Sequence, residues 1–183
     1  MNPQAVLDVC INEFLVPWEA YARKLSNGDC EAYPDPASPL VKMNRQERSR
    51  LSDEDYTRLG QPWTIGYGST FDEFNVRVKP GDVWTHDKAV RVKAIVLRRF
   101  YNAMIAHTPH IVKEPIRRQA AVLSWIYNCG IRAYQISTFG RRVKSEDWEG
   151  AAEECLKWNK AQGKILRGLT RRRTAEADAI VKP

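Results

Sequence analysis

Three short pieces within residues 18–68 organise the chain: Trp18-Glu19, then Ala32-Tyr33-Pro34-Asp35-Pro36, then Pro62-Trp63-Thr64-Ile65-Gly66-Tyr67-Gly68. A glutamate follows an apolar helical pattern, an aspartate sits in a proline-bounded turn, and a threonine opens a short strand. Two carboxylates and a hydroxyl on adjoining elements suffice for general acid/base attack of water on a glycosidic bond. One carboxylic acid protonates the leaving oxygen and the other carboxylate prepares the water. Spacing alone favours three ordinary residues, two surface acids and a strand threonine. The rest of the chain changes that.

A length of 183 residues fits one domain, or two small lobes, with ample material for a packed interior. Six Trp and seven Tyr, with 43% hydrophobic residues, exclude a disordered chain. The formal net charge of +7 points to an anionic partner and leaves open nucleic acid, a cell envelope or a membrane surface. No stretch reaches the roughly 20 apolar residues of a membrane span. Asp8 and Glu13 stand where an export signal would need basic residues and then an unbroken apolar core. The expectation is a protein made in the cytoplasm without its own export signal. Cys10, Cys30, Cys129 and Cys155 are widely spread and lack metal-ligand spacing, so thiols are expected there. His86, His107 and His110 form no ligand motif, and neither a metal nor an organic cofactor is expected.

Periodicity predicts a first helix from about Pro3 to Lys24, with Val6, Val9, Cys10, Phe14 and Ala22 near one face and Pro17 as a kink point. Ser26-Asn27-Gly28-Asp29 is a tight-turn signal flanked by two candidate strands. Residues 39–61 are too long and too charged for an ordinary loop and read as an insertion. Ser52-Asp53-Glu54-Asp55 within it begins a short helix ending near Gly60. Thr85 caps a long helix over about His86–Ala106, with Val90, Ala94, Leu97 and Tyr101 on its apolar face. Pro115 opens a helix that stops at Gly130 and is apolar over most of its circumference, as a buried central helix would be. Ser137-Thr138 caps a short helix, Ser145 another over about Glu146–Asn159, and the last helix begins near Thr170. A helix, a small β region and then many helices make an α+β fold with its strands near the N-terminus.

In this order the motifs resemble the phage lysozymes, or endolysins, of glycoside hydrolase family 24. The resemblance is carried by Glu19, Ala32-Tyr33-Pro34-Asp35, Trp63–Gly68, Thr85-His86-Asp87-Lys88-Ala89 and Gln119-Ala120-Ala121. Tyr127-Asn128-Cys129-Gly130, Ser137-Thr138, Trp158–Lys164 and Gly168–Arg173 with Glu176 complete it. It implies one lysozyme-like domain over 1–183: a first helix (1–25), a small β-containing lobe (26–84) with the insertion at 39–61, and a linking helix with a larger helical lobe (85–183). It further implies a muramidase cutting peptidoglycan between N-acetylmuramic acid and N-acetylglucosamine, with inversion. In that reading Glu19 is the general acid, Asp35 and Thr64 position the attacking water, and Tyr127, Asn128 and Ser137 face the substrate. Helix-end packing and capping explain those last three equally well. Arg172 matches a position near the catalytic glutamate, where a cation would keep Glu19 ionised and burial would push its pKa up.

Three features depart from the family pattern: Ala20 replaces a glycine, the Glu19–Asp35 and Asp35–Thr64 spacings are long, and Ser69 stands where relatives carry histidine. Glu31 competes with Glu19 for the role of acid. The resemblance also implies a monomer without a membrane anchor, held in the host cytoplasm until a holin lesion releases it to the periplasm and wall. Two other classes compete. One is a basic helical nucleic-acid binder using Arg98, Arg99, Arg117, Arg118 and Arg171–Arg173, although no recognised nucleic-acid motif accompanies them. The other is a lysozyme-like protein that binds wall without cutting it.

Overall fold

The computed structural model describes residues 2–15, 17, 23–161 and 163–183, so Trp18, Glu19 and Ala20 lie outside the described residues. The chain divides into two compact units, one of Met1–Trp18 with Val96–Pro183 and one of Glu19–Ile95.

In the second unit, Asn27-Gly28 makes the expected turn. Gly28 has a φ of +93°, a region open to glycine, and Leu25 N donates to Asp29 O at 2.8 Å. Lys24 bridges Cys30 across the turn. The outgoing arm then pairs with two distant segments in succession. Strand β1 (Cys30–Glu31) pairs antiparallel with β4 (Val83–Trp84), and β2 (Tyr33–Pro34) pairs antiparallel with β3 (Trp63–Thr64). Five residues of one arm thus fix where both long connections begin and end.

The 39–61 segment holds three short helices rather than the one expected: α2 (Pro39–Lys42), α3 (Arg45–Arg48) and α4 (Asp53–Leu59). Asn44 and Glu47 form a reciprocal capping box on α3, a four-residue pattern hidden in a charged run. Ser52 caps α4, whose first turn carries Asp53, Glu54 and Asp55. The segment is seated on Trp63, which is 3% exposed: its indole N–H donates to Thr57 O at 2.9 Å, and the Tyr56 ring lies 5.6 Å from its own. A Cβ at Gly60 would stand 2.6 Å from the Trp63 ring. Gly60→Ala is therefore expected to cost about 1–3 kcal/mol through overpacking, read from the midpoint of chemical unfolding. An unchanged midpoint would show that Trp63 can move aside.

Helix α5 (His86–His107) starts where Thr85 caps it, Lys88 N donating to Thr85 Oγ1 at 3.1 Å. Its inner stripe is Ala89, Val92, Lys93, Leu97, Tyr101 and Met104, whereas Val90 is 37% exposed. The predicted stripe was rotated because a lysine occupies an inner position and conceals it from an apolar count.

The first unit opens with α1 (Pro3–Val9), capped by Asn2, and continues as a π-helical turn over Cys10–Leu15. The helical reading thus holds to Leu15, with a wider turn than the period assumes. Helix α6 (Ile116–Cys129) is central, with every residue from Gln119 to Ile126 buried. Beyond it follow α7 (Ile131–Ile136), α8 (Thr138–Lys144), α9 (Trp148–Leu156), a hairpin of β5 (Lys160–Ala161) and β6 (Lys164–Ile165), and α10 (Arg167–Val181). The Trp125 ring stacks on Phe139 at 4.5 Å and meets Trp158 edge-on at 4.8 Å. Burying the Trp125 and Phe139 rings removes roughly 150–250 Å² each from water.

Two boundaries differ from expectation. Asp147, not Ser145, caps α9, because Ser145 already terminates α8. Trp158 follows α9 rather than lying in it, and α10 starts at Arg167.

Candidate active site

The β2–β3 pairing puts Thr64 on a strand whose partner strand leads directly into Asp35. Tyr33 stands opposite Thr64, and just past the ladder Asp35 N donates to Pro62 O at 3.1 Å. Pro36 then turns the chain, so that Asp35 O accepts from Ser38 N at 2.8 Å and Asp35 Oδ1 accepts from Ala37 N at 2.7 Å. This Asx turn fixes the half-buried carboxylate by one oxygen. The other oxygen has no hydrogen-bond partner among the described residues. Thr64 is 6% exposed, and its hydroxyl reaches Pro62 O only at 3.5 Å, the outer limit of a hydrogen bond. A carboxylate with an open oxygen and a weakly engaged hydroxyl are groups of the kind that can hold and deprotonate a water.

Immediately beyond Thr64 the chain closes a tight loop. Ile65 N donates to Ser69 O at 2.9 Å and Ser69 N returns to Ile65 O at 3.0 Å. Gly66 has a φ of +60° and approaches α5 so closely that a Cβ there would lie 2.9 Å from Ala89 Cβ. Burial pushes the Tyr67 phenol above its usual pKa, and the Cys30 sulfur adds to the shift.

Tyr127, Asn128, Ser137 and Arg172 all lie in the helical unit. Asn128 is exposed at the end of α6. Tyr127 is half-buried, its ring edge-on to Phe100 at 6.1 Å. Ser137 Oγ accepts from Gly140 N at 3.1 Å and so caps α8. Arg172 is 3% exposed; it donates to Glu176 Oε1 at 3.1 Å and to Ser124 O at 3.2 Å.

Sequence reasoning missed the rest of this last cluster. Arg173 and Glu176 are both fully buried, their Nε and Oε2 2.9 Å apart, and Ser124 donates to Glu176 Oε1 at 2.6 Å. Cys155, a thiol, lies 3.8 Å from Glu176 Oε2, and Arg173 donates to Cys129 Sγ at 3.2 Å. Burial pushes the Glu176 carboxyl upward, against Arg173, Arg172 and Ser124, which pull it down. The available signal was the spacing of two arginines and a glutamate three and four residues apart on one helix. Arg118 is likewise committed, paired with Glu114 and placed 4.5 Å over the Trp148 ring. The arginines offered as a nucleic-acid surface are thus in part internal struts. Among the described residues, no three His, Cys, Asp or Glu side chains converge as a metal would require.

The sequence pattern of the family described as phage lysozyme matches residues 47–176. The chain belongs to the phage lysozyme family. Thr64, Tyr127, Asn128, Ser137 and Arg172 fall inside that match, and Glu19 and Asp35 precede it. An endolysin of Acyrthosiphon pisum secondary endosymbiont phage 1 is 34% identical over 143 residues, covering 75% of this chain and 90% of the relative. A SAR-endolysin of bacteriophage PS119 is 29% identical over 119 residues, covering 64% of this chain and 67% of the relative. Among solved structures, the endolysin from Escherichia coli O157:H7 phage FAHEc1 aligns over 99% of this chain and 94% of its own, with a TM-score of 0.66 and 26% identity. The fold is therefore lysozyme-like, α+β, as the sequence implied.

Proposed function

We propose that this phage lysozyme is an endolysin that hydrolyses the β-1,4 bond between N-acetylmuramic acid and N-acetylglucosamine in peptidoglycan, causing host lysis. The observation that supports the reading is the β2–β3 pairing in a chain of this family, with Tyr33 opposite Thr64 and Asp35 two residues further along the same arm. In the mechanism, Asp35 and Thr64 hold the attacking water and Asp35 takes its proton. Glu19, which lies outside the described residues, protonates the leaving oxygen. Attack by a held water implies inversion at the anomeric carbon, with the two carboxyl groups about 6.5–9.5 Å apart. Tyr127, Asn128 and Ser137 contact the glycan, and Arg172 tunes Glu19 while bracing Glu176. The expected test result is a fall in turbidity when the monomeric protein meets permeabilised Gram-negative cells. Folded protein that leaves turbidity unchanged overturns the reading in favour of wall binding without cleavage.

Access to the wall is a separate step. No helix among the described residues is long and apolar enough to cross a membrane. We propose that the protein waits in the host cytoplasm until a holin-type lesion releases it. Cells expressing it alone are then expected to keep growing and to lyse only when a permeabilising agent is added. Lysis on expression alone would contradict this.

A further inference from the structure

We propose that Lys93 is a positioning residue for Thr64, acting through the ring of Tyr67; the proposal rests on Thr64 being a water-orienting group. The loop that follows Thr64 is docked on α5 at three points, His86, Ala89 and Lys93, spaced by three and four residues along one helix face. At the first, the Tyr67 hydroxyl and His86 Nε2 share a hydrogen bond of 3.2 Å. At the second, Gly66 lies against Ala89. At the third, the Lys93 ammonium sits 4.5 Å above the centre of the Tyr67 ring.

Lys93 is 2% exposed. What a charge over a ring supplies is direction: the attraction is greatest over the ring face and fixes where the ring sits. Tyr67 is three residues from Thr64, and the loop between them is closed by the reciprocal Ile65–Ser69 hydrogen bonds. Fixing the ring therefore fixes the approach of the Thr64 hydroxyl to its water. A displacement of about 1 Å at such a group costs on the order of 10²-fold in rate.

The test measures kcat, KM and thermal midpoint on purified peptidoglycan. Lys93→Met is expected to lower kcat by about tenfold or more with KM little changed, in a protein that circular dichroism shows to be fully folded at the assay temperature. Lys93→Arg and Tyr67→Phe, which keep the cation and the ring face, retain most of the rate. Tyr67→Leu does not, and combining it with Lys93→Met adds little, as coupled residues require. Lys93→Met should also add little to Thr64→Ala. Parent-like kcat in Lys93→Met, or a rate loss that follows loss of thermal stability, overturns the proposal. If Lys93→Met does not fold, the contrast between Tyr67→Leu and Tyr67→Phe decides. Loss of rate in Thr64→Ala without loss in Lys93→Met rejects only this proposal, whereas parent-like kcat in Thr64→Ala rejects the role of Thr64 itself.

Discussion

Asp35→Asn is expected to lower peptidoglycan hydrolysis by roughly 10²–10⁴-fold, the usual contribution of a general acid or base, while leaving the fold intact. The substitution is chosen for its geometry. Asp35 Oδ1 accepts from Ala37 N at 2.7 Å, and an amide oxygen can accept the same hydrogen bond. The turn therefore survives and only the basicity is lost. Glu19→Gln is expected to match this loss and Glu31→Gln to keep most of the activity. Glu31 lies in β1 opposite Val83, which is 53% exposed, and only one short break separates it from β2 and Asp35. Two groups on one extended arm cannot easily flank a sugar ring from opposite sides. Circular dichroism on each variant separates chemistry from folding. Loss in Glu31→Gln with retention in Glu19→Gln would reassign the acid, and a fully active Asp35→Asn would remove Asp35 from the mechanism.

The second large effect is on stability. Glu176 is fully buried between Arg172 and Arg173 and accepts from Ser124. Glu176→Gln would leave two buried guanidinium groups facing a neutral amide. Breaking a buried pair by removing one partner costs about 3–5 kcal/mol. For a chain of this size each kcal/mol lowers the thermal midpoint by about 2–4 °C, so the drop should be on the order of 10 °C. Chemical unfolding measures it directly. A loss below about 1 kcal/mol would show that the carboxyl is already neutral in the folded protein and that the arginines are held by other groups.

What could be read from the sequence was largely local. The Asn27-Gly28 turn, the Ser52 and Thr85 caps, the buried α6 and the Ser137 cap each depend on a few consecutive residues whose backbone or hydrogen-bond preferences are strong. Asp35 and Thr64 were singled out by motif, yet the segments that carry them are joined by β2–β3 pairing, a long-range contact that no local preference encodes. The same holds for β1 with β4, where 51 intervening residues leave no periodic trace. Charged residues in the interior were the other blind spot. Lys93, Arg172, Arg173 and Glu176 look like surface residues by composition and are buried because each meets a ring, a hydroxyl or an opposite charge supplied from elsewhere in the fold.

The most direct measurement is the chemistry of the products. Purified peptidoglycan is digested with the protein, the fragments are reduced with borohydride, and the reduced end is identified by mass spectrometry. A muramidase using water leaves N-acetylmuramic acid at the new reducing end, recovered as its reduced alcohol, with no 1,6-anhydro sugar. Reduced N-acetylglucosamine, anhydro products or uncut glycan from a folded protein would contradict the assignment.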